Sequence, residues 1–245
     1  MTVIAHLSDP HLDGSPQRRR RFQATLECAV SLKVLDAVVI SGDLADHGSA
    51  AEYEQLFASL QRVVPFLLIA GNHDLSSALV DALDHHGFPA TLNSTLDIAG
   101  VRLIGLDSHI DHHDEGLLSA AALEYARAHI EGSQGPVILV MHHPPVPVGH
   151  HVMDRFGLGN SDELAELIHT HDNIVGVFTG HVHTALATTF AGVPLLGAPG
   201  IASTMRLGSR TDPMADPDAM PGLAVHTFDG TTISTVFHYL SPSAL

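Results

Sequence analysis

Six short apolar runs punctuate the chain, and each one stops at a polar residue: Val3–Leu7, Ala37–Ser41, Phe66–Ala70, Val101–Leu106, Val137–Met141 and Ile174–Thr179. Runs of this length that end in loops read as buried strands. The polar residues just past them are Asp9 and His11, then Asp43, Asn72, Asp107, His142, and finally His181 and His183. From Asp9 to His181 the successive spacings are 34, 29, 35, 35 and 39 residues, each about one strand–helix–strand crossover. Helix-like stretches at Phe22–Leu32, Glu52–Leu60, Ala121–Ile130 and Asp162–His169 fill most of the gaps, so the pattern predicts an α/β fold with a largely parallel sheet. In such a sheet the loops at the carboxyl ends of the strands share one edge, where ligands bind. Residues far apart in sequence are therefore expected to meet there.

After Gly180 the character changes. Thr188–Phe190, Val193–Leu196, Ala224–Phe228 and Thr232–Tyr239 leave no room for helices between them and predict an antiparallel closing section. The Pro- and Asp-rich stretch 209–222 reads as a loop. With no repeat or linker in view, a single domain over residues 1–245 is expected. The formal net charge of −16 opposes grip on a nucleic acid polymer or an anionic membrane and suits the holding of cations. Cys28 is the only cysteine, which excludes an intrachain disulfide and a thiolate metal cluster. No apolar run reaches the length of a membrane span, and Met1 leads straight into TVIAHLSD without a secretion signal, so a soluble cytoplasmic protein is expected.

The residues at the strand ends are imidazoles and carboxylates with one amide. A catalytic zinc takes three protein ligands, so this set exceeds what one ion needs and suffices for two that share a carboxylate. Two adjacent cations clamp a phosphoryl group and generate hydroxide near neutral pH. Gly42, Gly71 and Gly180 stand just before these residues, where sharp turns are expected. A lone Asp after a strand more often caps a turn than binds a metal, and a lone His more often sits satisfied in a core. The joint pattern is what outweighs those readings. Asp107, outside any motif, is expected to hydrogen-bond beneath the site, and Asp46 and Asp74 to orient loops.

Five blocks in order, DPH (9–11), GD (42–43), GNHD (71–74), HHP (142–144) and GHVH (180–183), resemble the signature of the calcineurin-like metallophosphoesterases. Within that family, GDLADHG, MHHPPVP and the compact length resemble the bacterial class III cyclic nucleotide phosphodiesterases. The resemblance implies a sandwich of two mixed sheets flanked by helices, with the metals at the loop edge. It implies Asp9, His11 and His183 on a first ion, Asp43 bridging, and Asn72, His142 and His181 on a second. His73 would lie outside the coordination sphere and act on the phosphate or the leaving oxygen. The implied reaction is hydrolysis of 3′,5′-cyclic nucleotides such as cAMP to nucleoside 5′-monophosphates, with a metal-bound hydroxide attacking phosphorus. The cofactors would be two divalent transition-metal ions, iron, manganese or zinc. The chain lacks the tyrosine beside the ligand motifs that purple acid phosphatases carry, and the Gln and Trp often seen in the helix after Gly116.

The rival readings share the chemistry but not the ester: glycerophosphodiesters, aryl diesters, 2′,3′-cyclic nucleotides or monoesters. A non-catalytic interaction scaffold is a further alternative, and a homodimer stays open. Substrate selection falls to the loops 109–115, 148–159 and 202–207, where His109, His112 and Phe156 are the candidates alongside Asn72 and His73. His150 and His151 are weighed against plain surface roles. The run of four arginines at 18–21 is read as a solvated helix start ahead of a phosphate contact.

Overall fold

The computed structural model describes residues 1–60, 65–206 and 214–245. Its chain runs β1 (Thr2–Leu7), α1 (Pro16–Val30), β2 (Ala37–Ser41), α2 (Ala50–Leu60), β3 (Phe66–Ile69), α3 (Ser76–His85), β4 (Ser94–Ile98), β5 (Val101–Gly105), α4 (Ala120–Glu131) and β6 (Val137–Val140). It continues with α5 (Ser161–His169), β7 (Ile174–Thr179), β8 (Leu186–Phe190), β9 (Val193–Gly197), β10 (Thr204–Met205), β11 (Ala215–Asp216), β12 (Gly222–Phe228) and β13 (Ile233–Tyr239). Leu207, and residues 209–213 of the loop read at 209–222, lie outside the described residues.

The six apolar runs do not form one sheet. They split into two groups of three, β1, β2 and β3 in a sheet of order β13-β12-β1-β2-β3, and β5, β6 and β7 in a sheet of order β4-β5-β6-β7-β9-β8. Within each group the pairing is parallel, as the crossover spacings require, and antiparallel strands stand at the flanks. The division falls at α3 and β4, which the sequence reading passed over. β4 is a half-exposed edge strand whose residues alternate in burial, so it carries no continuous apolar run. It starts the second sheet by pairing antiparallel with β5.

Side-chain alternation along the strands builds three apolar layers. In β2, Val38 and Ile40 face the helices α1 to α3, whereas Ala37 and Val39 face the second sheet. Ile104, Leu139 and Val177 on the outer face of the second sheet meet α4 and α5. Strands buried on both faces read as unbroken apolar runs, which is why they were legible. α1 opens at Pro16 with Ser15 as its N-cap, the Ser15 hydroxyl accepting from the Arg18 amide at 3.2 Å. The arginine run therefore lies inside the helix. Arg21 is buried and donates from Nε to the Ile201 carbonyl at 2.8 Å, which ties α1 to the wall of the site, a third role beyond the two weighed from sequence. No helix among the described residues is long and apolar enough to cross a membrane.

Candidate metal centre

Both sheets send their parallel strand ends to one edge of the sandwich. Asp9 and His11 follow β1, Asp43 follows β2, Asn72 and His73 follow β3, His142 follows β6, and His181 and His183 follow β7. The backbones cross-link there: the His11 amide donates to the Asp43 carbonyl at 2.9 Å, Gly180 to His142 at 3.0 Å, and His181 to Asp9 Oδ1 at 3.1 Å. Asp9, His11, Asp43, His181 and His183 all adopt positive φ, between 44° and 70°. Left-handed backbone at a residue other than glycine is uncommon and costs on the order of 1–3 kcal/mol. Five such residues at one edge mark a place where ligand geometry outranks backbone comfort.

The glycines before them have two different reasons. Gly42 turns at φ 101°, as expected. Gly71 and Gly180 do not adopt positive φ; they are required by close approach. A Cβ on Gly71 would strike Asp43, and one on Gly180 would strike Ser8 and Ser41.

Asp9, His11, Asp43 and His183 form the first cluster, buried except for a half-buried His183. His11 Nε2 lies 3.0 Å from His183 Nε2 and 3.2 Å from Asp43 Oδ2, and His183 Nε2 lies 3.4 Å from Asp9 Oδ1. These separations match the edge of a tetrahedron around an ion, about 3.3 Å for ligands about 2.0–2.1 Å away. His11 Nδ1 donates to Asp46 Oδ1 at 2.9 Å, and His183 Nδ1 donates to Ser203 Oγ at 2.8 Å. With both Nδ1 atoms engaged elsewhere, the two Nε2 atoms face each other at 3.0 Å, a spacing that one shared cation, proton or metal ion, reconciles.

The second group is His142, His143 and His181, all buried, with Asn72 between His142 and His181. Asn72 Oδ1 lies 3.1 Å from His142 Nε2 and 2.9 Å from His181 Nδ1. His142 Nδ1 donates to the Ser41 carbonyl at 2.7 Å, which leaves Nε2 as the nitrogen turned to the Asn72 oxygen and to Asp43. Asp43 joins the two groups, with Oδ2 toward His11 and Oδ1 3.4 Å from His142 Nε2. A carboxylate that presents one oxygen to each group is suited to bridge two ions. Asp9 Oδ2 and His181 Nε2 are buried with no protein partner, a costly arrangement unless a further group satisfies them. The donors fit two divalent metal ions, and the two groups together form a dinuclear metal-binding site near the strand ends.

Electrostatics agree. Burial opposes charge on His11 and His142, but the Asp43 carboxylate outweighs it and raises their pKa values to about 10 and about 9. Burial dominates at His183, lowering it to about 4, and holds His181 well below the ordinary value. Burial also acts against the Asp43 carboxylate, yet His142 and His11 keep its pKa well below the carboxylate range. Such a site favours cations of either kind, protons or metals. Asp74 supports it from beneath: its oxygens accept from the Leu44, Ala45 and Gly71 amides and from the Tyr53 hydroxyl, at 2.8–3.1 Å.

His73 sits just outside. Its amide donates to Asp43 Oδ1 at 2.9 Å, and its Nδ1 donates to the Asp46 carbonyl at 2.9 Å. Nε2 is thus left free, on a ring that lines a cavity of about 170 Å³. Asp43, Asn72, His73, His181 and His183 form the metal-side wall, and Asp114, Met153, Phe156, Val182, Met205 and Met214 line the rest. Of the five residues named from sequence as candidates for substrate contact, Asn72, His73 and Phe156 line this cavity.

His109 and His112 do not line this cavity. His109 is buried, and its Nδ1 and Nε2 are held by Asp107 and Asp111, while His112 is exposed. Asp107 thus serves His109 and belongs to neither metal group. His150 is also buried, its Nδ1 accepting from the Met153 amide. The sequence reading missed Asp114, Ser41 and Ser203. Asp114 and Ser203 lay in loops already singled out, 109–115 and 202–207, but no motif marks either of them or Ser41.

The family model for calcineurin-like phosphoesterases matches residues 2–185. A probable cyclic nucleotide phosphodiesterase of Synechococcus sp. is 32% identical over 203 residues, 78% of this chain and 79% of the relative. The glycerophosphodiester phosphodiesterase GpdQ of Enterobacter lignolyticus is 28% identical over 205 residues, 77% of this chain and 73% of the relative. In three dimensions a dimetal phosphatase from Danio rerio superposes with a TM-score of 0.70 at 13% identity, covering 98% of this chain and 99% of that one. The family match over residues 2–185 includes every strand end that carries a donor of the two metal groups, from Asp9 to His183. The chain belongs to the calcineurin-like phosphoesterase family, as a dinuclear-metal-dependent phosphoesterase.

Proposed function

We propose that this enzyme hydrolyses phosphodiesters, and that 3′,5′-cyclic nucleotides such as cAMP are among its substrates, yielding nucleoside 5′-monophosphates. The observation that carries the reading is the composition of the cavity. Part of its lining is the metal centre, and most of the remainder is apolar, with Phe156, Met153, Met205 and Met214. A phosphate bearing two organic substituents engages both parts, and a planar base stacks on an aromatic ring or packs against adaptable thioethers. The net charge of −16 supports a small substrate over a nucleic acid polymer. One relative is named for cyclic nucleotides and another for glycerophosphodiesters, and a wall with so few polar groups also supports a second reading, a broad-specificity diesterase.

In this proposal Asp9, His11 and His183 would hold one ion and Asn72, His142 and His181 the other, with Asp43 shared between them, within a single domain. The ions would supply Lewis acidity and a nucleophilic water near neutral pH. The chain's own residues do the rest. Asp43 and the histidines confine the phosphate to the sandwich edge, while Phe156 and the methionines orient its substituent and exclude water. His73, fixed through Nδ1 to the Asp46 carbonyl and 3.7 Å from the Asp46 carboxylate, turns Nε2 to the cavity. From there it delivers a proton to the departing 3′-oxygen.

A kinetic panel of cAMP, cGMP, glycerophosphodiesters, bis(4-nitrophenyl) phosphate and a monoester, on metal-reconstituted protein, tests the reading. Turnover of cAMP to 5′-AMP is the expected result. Cleavage of simple diesters with cAMP and cGMP untouched removes the cyclic-nucleotide assignment and leaves the general diesterase.

A further inference from the structure

The interior between the sheets is apolar until it nears the metal edge. There His6, Ser41 and His226 form a polar layer, each with at most 1% of its surface exposed. His6 and His226 stack on Phe178, with ring centroids 5.3 Å and 4.0 Å away. Neither imidazole belongs to a metal group, and neither lines the cavity.

Their hydrogen bonds close in one direction. Thr235 Oγ1 donates to His226 Nδ1 at 2.8 Å, His226 Nε2 donates to His6 Nδ1 at 3.1 Å, and His6 Nε2 donates to Ser41 Oγ at 2.8 Å. The Ser41 hydroxyl donates to Ser8 Oγ at 2.8 Å, and the Ser8 hydroxyl returns to the Ser41 carbonyl at 3.4 Å. That same carbonyl accepts from His142 Nδ1. Every proton has one acceptor, which requires both imidazoles to be neutral, and burial lowers the pKa of each far enough to keep them so. A satisfied buried network fixes geometry, whereas a partly satisfied one is costly.

The chain ends where three ligand loops meet. Ser8 directly precedes Asp9, Ser41 stands two residues before Asp43, and Gly180 precedes His181 and packs against both serines with no space for a Cβ. An apolar layer would fill this space without tying the three loops to one point.

We propose that His6 and Ser41 are positioning residues of the metal centre: the buried chain from His226 to Ser8 fixes the Ser41 carbonyl that orients His142, and thereby sets the affinity of the second ion. The inference goes beyond the substrate assignment but rests on His142 as a ligand of that ion. Partners that orient a metal-binding histidine are worth about 10–100-fold in affinity.

Titration of chelator-stripped full-length protein with cobalt(II), followed by visible absorption and elemental analysis, tests it. In Ser41→Ala and His6→Phe the first equivalent is expected to bind as in wild type, and the second about 10–100-fold more weakly with an altered spectrum. Ser8→Ala, which removes the acceptor of the Ser41 hydroxyl, is expected to act in the same sense and carries the test if His6→Phe does not fold. His142→Ala is expected to bind one equivalent. If it does, and the network variants still bind both equivalents like wild type or weaken both equally, the inference is overturned. If His142→Ala itself binds two, the ligand assignment beneath it is overturned instead.

Discussion

Asp46 Oδ1 accepts a hydrogen bond from His11 Nδ1 at 2.9 Å, which turns the opposite nitrogen of His11 into the metal-binding group. The same contact holds the Asp46 carboxyl below its ordinary pKa, so it stays an acceptor over the working pH range. Asp46→Ala removes the contact while leaving the backbone carbonyl that holds His73. Affinity for the ion beside His11 is expected to fall about 10–100-fold, with the other ion retained. Metal titration with elemental analysis decides the matter; unchanged affinity for both ions would count against the assignment.

Asp43 turns one oxygen to each metal group, whereas Asn72 touches only the second. Asp43→Asn is therefore expected to reduce occupancy of both ions, and Asn72→Ala mainly that of one. Removal of metal by a chelator should abolish turnover, and added divalent metal should restore it. A preparation that binds one ion per chain, with occupancy indifferent to Asp43→Asn, would falsify the dinuclear arrangement.

His73 approaches the His11 ring edge-on, at 4.5 Å between ring centroids, and belongs to neither of the two groups that Asp43 joins. His73→Ala is expected to lower turnover by about 10²–10⁴-fold on a ribose leaving group, with metal content nearly intact. The loss should be smaller for nitrophenolate, which needs little protonation. Equal losses on the two leaving groups would make His73 an electrostatic residue and not the acid.

The His6–His226 pair predicts an acid limb in stability. Unfolded, both imidazoles take up protons as pH falls below about 6.5. Folded, burial holds His6 neutral down to about pH 3 and keeps His226 well below its ordinary value. The unfolded chain thus binds more protons below about pH 6.5, and stability is lost as pH drops, for His6 down to about 3 and by up to about 1.4 kcal/mol per pH unit, with His226 adding in the same direction. Urea unfolding of chelator-treated protein at pH 7 and pH 5 should show the loss, and His226→Phe should reduce it. An identical pH dependence in the variant would rule out this source.

Much of the site was legible because its chemistry sits at strand ends. Asp9, Asp43, Asn72, His142 and His181 could be placed on one edge from run length and spacing alone, since a parallel strand has a fixed polarity and its loop must emerge there. The glycines were legible as necessary but not for the right cause at Gly71 and Gly180, where the obstacle is a neighbour from another loop. His109 and His112 looked alike in sequence and parted in space, because Asp107 and Asp111 draw the first into the protein. Periodicity carries no information about such a partner.

What the sequence determined by itself is local: the apolar runs, the donors at their ends, and the crossover spacing that makes strands parallel. These follow from backbone geometry and burial along a single element. What only the tertiary structure decided is how those elements divide and what stands behind the donors. Spacing is the same whether six strands form one sheet or two, and β4, too exposed to show as an apolar run, marks where they part. The partners that orient the donors, Ser41 for His142, Asp46 for His11 and Ser203 for His183, lie 101, 35 and 20 residues away in the chain. A hydrogen bond across that distance exists only once the packed layers have brought the loops together.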